Sequence, residues 1–153
     1  MRPTVRFPSL APAAVACLAS EPAAVPRVRV NLGELAAQIA GNNLKLRTLE
    51  AELHEQGEWN AERLCPRIRR LEVLVIRQND LQTFREMVTE RDRALVGWLE
   101  SPRGAISEAA ARLFETRSRV SGPEFHGTEV QRYTELRKLR ELSSRLAQLA
   151  TRK

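Results

Sequence analysis

Twenty-three residues run from Pro66 to Val88 without a glycine, and the one proline stands at the front edge. A helix tolerates a proline there and not further in. Ile68, Leu71 and Val75 share one helical face, and Leu74, Leu81, Phe84 and Val88 share the next. Five of the six residues from Leu71 to Ile76 are apolar and point to more than one side. A helix that is apolar on several sides is expected to lie buried between neighbours. Val73 and Val75 alternate with Glu72, which also suits a short strand. The length of the stretch and its intact 3.6-residue stripe decide for helix.

A second pattern lies upstream. Leu32, Ile39, Leu46 and Leu53 repeat every seven residues, and Leu35, Asn42 and Leu49 follow the first three at the d spacing. This is a coiled-coil type seam with one polar member, Asn42, which either fixes register or oligomeric state or stands locally solvated beside the helix-weakening Gly41. Asn31 is placed as an N-cap with Glu34 at N3, and Val30 and Leu35 stand where a hydrophobic staple forms. Gly57 offers a stop. Glu58 to Leu64 reads as a connector or a short turn of helix, pinned to the core by Trp59, with the next helix following from Pro66.

Thr89 with acids in the turn after it predicts a new helix start, although Leu81, Val88, Leu95 and Leu99 would continue a stripe through it. Ser101-Pro-Arg-Gly104 is a breaker. Ile106, Ala109, Ala110, Leu113 and Val120 mark the following helix. Ser121-Gly-Pro123 ends it, and Thr128 with Gln131 forms a capping box for the last one. The stripe of that helix is Tyr133, Leu136, Leu139, Leu142, Leu146 and Leu149. The fold expected is all-α: an antiparallel helical bundle or helical hairpin with coiled-coil character and four to five helices over residues 31–153.

Residues 1–30 read differently. Five of the chain's eight prolines lie there, among Ala and Ser, which predicts a disordered Pro/Ala-rich head that adds little to folding. Ala14-Val-Ala-Cys17 is a loose lipoprotein-type site, so export or lipidation at Cys17 stands as the alternative to a cytoplasmic location. Arg27-Val-Arg-Val-Asn-Leu32 alternates polar with apolar and resembles the strand that opens ribbon-helix-helix DNA-binding proteins. The helix after it runs too long for that family, and no second helix stands at the usual distance. The segment therefore reads as an extended lead-in.

Chemistry-bearing patterns are few. The two histidines, His54 and His126, lack metal-site spacing, and with Cys17 and Cys65 they fit no structural zinc pattern. No Gly-rich phosphate loop is present. Cys65 reads as an inert, partly buried thiol, and its position at a helix start also suits a lowered pKa. No catalytic residue, metal or cofactor is expected, and no apolar run reaches the length of a membrane span. Basic groups cluster twice, at Arg67, Arg69 and Arg70 and at Arg137, Lys138 and Arg140, in a chain of net charge +6. Acids interleave with both clusters, and intrahelical pairs such as Glu141 with Arg145 explain part of the pattern. The function expected is a non-enzymatic helical protein-protein interaction or scaffold protein, its partner being a second copy met through the Leu32–Leu53 seam. The alternative is nucleic-acid binding, with the six basic residues as phosphate contacts.

Overall fold

The structure is a computed structural model, and it describes residues 30–152. The expectations for the head, including Cys17, the lipoprotein-type site and most of the lead-in strand, lie outside the described residues.

Five helices occupy the described residues: α1 Leu32–His54, α2 Ala61–Met87, α3 Glu90–Val96, α4 Arg103–Ser121 and α5 Glu129–Thr151. There is no strand among them, so the Leu71–Ile76 stretch is helical. α1 packs on α2 and α4, and α5 packs on α2 and α4. Side-chain partners give the directions. Arg70 meets Glu52 while Asn42 meets Gln78, so α1 and α2 are antiparallel. Glu135 reaches Ala61 and Arg145 reaches Glu72, so α5 runs parallel to α2. The short α3 lies on α1 and α2 and links the two hairpins.

The helix starts are written in the sequence. Asn31 Oδ1 accepts the Glu34 amide at 3.2 Å, which satisfies one of the free first-turn donors. The Glu34 side chain does not complete the box and takes the Gln38 amide at 3.4 Å instead. On α5 both halves of the box form: Gln131 N donates to Thr128 Oγ1 at 3.2 Å, and Thr128 N donates to Gln131 Oε1 at 2.8 Å. The chain breaks at Val88 and Thr89, where a new start is expected, although the Thr89 hydroxyl caps no amide and donates to Asp92 Oδ2 at 2.6 Å.

One boundary differs from expectation. α2 begins at Ala61, five residues before Pro66, because Asn60 Oδ1 accepts the Arg63 amide at 2.8 Å. Trp59 and Leu64 flank that cap at the N′ and N4 positions, where a staple forms, and both are buried. Pro66 therefore lies inside the helix and removes one backbone bond in its second turn.

The core is a leucine cluster. Leu49, Leu53, Leu64, Ile68, Leu71 and Leu139 are closed to solvent, and Ala105 and Ala109 let α4 approach closely. Two side chains of the second hairpin close the α1–α2 loop. The Arg112 guanidinium of α4 donates to the carbonyls of Leu53 and His54, the last of α1. The Glu135 carboxylate of α5 accepts the amide of Ala61, the first of α2. Each answers groups that a helix end leaves without partners.

Candidate interaction surfaces

The heptad seam lies inside the bundle. Leu35, Ile39, Asn42, Leu46, Leu49 and Leu53 are buried, and Leu32 is half-buried at the helix start. The helices that cover α1 are the chain's own α2, α3 and α4. Asn42 is 5% exposed and donates to Gln78 Oε1 of α2 and, at 3.5 Å, to the Leu74 carbonyl. Gln78 in turn donates to the Glu100 carbonyl and to Asn43 Oδ1. The one polar seam position is thus tied through Gln78 into a network joining α1, α2 and the linker after α3.

The six basic residues divide by surroundings. Arg67 lies 3.8 Å from Glu52 and 3.9 Å from Glu55, and Arg70 lies 2.8 Å from Glu52. These two serve the α1–α2 contact. Arg69, Arg137, Lys138 and Arg140 are exposed. Arg137 and Arg140 follow Tyr133 by four and seven residues and share its outward face on α5. Arg145 does not pair with Glu141. Its Nη2 meets Glu72 Oε2 at 2.7 Å and its Nε meets Glu72 Oε1 at 2.9 Å, a bidentate bond from α5 to α2. The bond to Glu72 raises the guanidinium above its ordinary pKa, against the opposing effect of burial.

Trp59 takes up further cations. The guanidinium groups of Arg63, Arg67 and Arg112 lie 4.6, 4.7 and 5.7 Å from its ring centre. The indole N–H donates to the Glu55 carbonyl at 3.2 Å. This cluster holds the connector onto the bundle end, as expected of Trp59. His54 Nδ1 lies 3.4 Å from Glu108. His126 lies at the rim of an open cleft between the two hairpin loops. Among the described residues no group of three or more His, Cys, Asp or Glu is placed to hold a metal ion. None of the described helices is long and apolar enough to cross a membrane.

The largest departure from expectation is the outer face of α2. Val73, Ile76, Phe84 and Met87 are 65%, 48%, 42% and 67% exposed. The apolar character on several sides of this helix was expected to be matched by neighbours on several sides. The bundle covers one side only. Because α1 lies to one flank and α5 to the other, the face turned away from the core stays open. A smaller apolar groove of 270 Å³ lies between α4 and α5, with Ile106, Ala110 and Phe114 on one wall and Ala147 and Ala150 on the other. Trp98, 88% exposed, stands in the linker with the Arg85 guanidinium 5.7 Å from its ring.

No family model, curated protein or solved structure matches this chain.

Proposed function

We propose that the chain is a non-enzymatic helical interaction protein that binds protein partners through the outer face of α2. The observation that carries this reading is the apolar row Val73, Ile76, Phe84 and Met87, exposed on a helix whose opposite face is core. Large apolar side chains gathered on one exposed face mark interaction sites more often than scattered ones do. The heptad seam supports the bundle in this reading, and association falls to α2. The location proposed is the cytoplasm, where Cys65, free and half-buried, stays reduced.

The test is a photo-crosslinking amino acid placed at Val73 in the full chain, in the cells that make it. A protein adduct is expected at Val73 and not at Ala51, an exposed α1 position. Equal yields at the two positions, or none at Val73, would sink the reading.

A second reading, nucleic-acid binding, is supported by Arg137 and Arg140 beside Tyr133 on the open face of α5. Cations with an aromatic among them suit phosphate contact and base stacking. It calls for affinity for a labelled duplex that falls steeply with salt and drops in Arg137→Ala/Arg140→Ala. Absence of binding at low salt disposes of it.

A further inference from the structure

We infer that the occupant of the α2 face is the same face of a second copy, laid antiparallel about a two-fold axis that crosses the helix between Leu74 and Val75. This rests on the reading of α2 as an association surface and names its partner. Arg69, Val73, Ile76, Asp80 and Met87 follow one another by four, three, four and seven residues, so they form one heptad stripe. All five are exposed.

A two-fold interface sets each residue of the patch against its counterpart on the other copy. About this axis Val73 faces Ile76 of the second copy, and Ile76 faces Val73. One step outward on either side, Arg69 faces Asp80. The surface is self-complementary in shape class and in charge.

The charges select this register over its rivals. A parallel pairing sets Arg69 on Arg69 and Asp80 on Asp80. An antiparallel pairing centred on Asp80 joins Val73 to Met87 but presses two carboxylates together at the axis. Of these registers only the one centred between Leu74 and Val75 sets Arg69 against Asp80; Glu62, seven residues before Arg69 on the same stripe, there faces Met87. Among the described residues neither Arg69 nor Asp80 has an ion pair within the chain, whereas Arg63, Arg67, Arg70 and Arg145 all do.

The contact is one helix against one helix along at most about 40 Å, the length of 27 residues at a 1.5 Å rise. That is smaller than a standard interface of roughly 1,600 Å² and belongs to the weak, reversible class.

The experiment is sedimentation velocity of the full chain from micromolar to sub-millimolar concentration, with circular dichroism to confirm helicity. The wild type is expected to dimerise reversibly with concentration. Val73→Gln/Ile76→Gln is expected to be monomeric. Arg69→Asp and Asp80→Arg are each expected to weaken the dimer by about tenfold, since each reversal strikes both symmetry-related pairs. Arg69→Asp/Asp80→Arg together is expected to restore it, because the pairs re-form with exchanged signs. A wild type that stays monomeric throughout overturns the inference, as does a double reversal no better than the single ones. A dimer that survives Val73→Gln/Ile76→Gln overturns it too. If the wild type is monomeric while the Val73 crosslinker captures a different protein, the second copy is refuted and the association reading stands. If neither is seen, both fall.

Discussion

The Asn42–Gln78 contact gives the sharpest test of how the first hairpin is held. Both side chains are 5% exposed, so each polar atom left without a partner there is cut off from water. Asn42→Ala strips Gln78 Oε1 of its donor and opens a small void in the seam. An orphaned buried polar group costs about 1–3 kcal/mol. Gln78→Ala removes the same bond and also the donor to the Glu100 carbonyl. It should cost as much or more. The double variant Asn42→Leu/Gln78→Leu replaces the pair with two apolar side chains of similar size, and replacing both partners together can be nearly neutral. Its stability should therefore exceed the sum of the Asn42→Leu and Gln78→Leu effects by about 1 kcal/mol or more. Thermal unfolding resolves this, since 1 kcal/mol corresponds to about 4 °C in a domain of this size. If the two single losses add to within about 0.3 kcal/mol, the two residues are not coupled and the argument from burial is refuted.

Three further outcomes are expected from unfolding measurements. The Thr116 hydroxyl is fully buried without a hydrogen-bond partner among the described residues. Thr116→Val keeps the shape and should raise stability by about 1 kcal/mol, seen as a higher melting temperature. Gly97 ends α3 at φ 78°, ψ −171°, a region almost confined to glycine, with open space around it, so Gly97→Ala should cost about 1–3 kcal/mol through backbone strain alone. A double-mutant cycle on Glu72 and Arg145 should give a coupling of about 1 kcal/mol that shrinks at high salt. The raised pKa of Arg145 keeps the guanidinium charged on the alkaline side, so raising the pH into mild alkali should leave the coupling unchanged.

The sequence showed the ends of helices more readily than it showed their neighbours. Asn31 and Thr128 each stood at a helix start because a cap acts within one turn, and one turn is visible in a string of residues; Thr89 also stands at a start, but its hydroxyl donates to the Asp92 carboxylate and caps no amide. Asn60 was missed because Pro66 drew the start toward itself, although Trp59 and Leu64 already had the staple spacing. The partner of Arg145 was not legible: Glu141 and Glu72 are both within its reach, and only the packing of α5 on α2 chooses. The seam was legible as a pattern but not as a destination. A 3.5-residue repeat looks the same whether the covering helix belongs to the same chain or another. The outer face of α2 poses the reverse problem. Apolar residues on two sides of a helix imply two coverings, and the bundle supplies one.

The closing of the α1–α2 loop from the other hairpin bears on the order in which the chain is made. Arg112 lies 59 residues beyond the Leu53 carbonyl it binds, and Glu135 lies 74 residues beyond the Ala61 amide. During synthesis the first hairpin emerges with these backbone groups still served by water and with Leu49, Leu53 and Leu64 uncovered. It gains its closure only after α4 and the first turns of α5, through Glu135, have left the ribosome. A nascent chain stalled before Arg103 would lack both closing side chains and is expected to be more open to chaperones and proteases than the full chain.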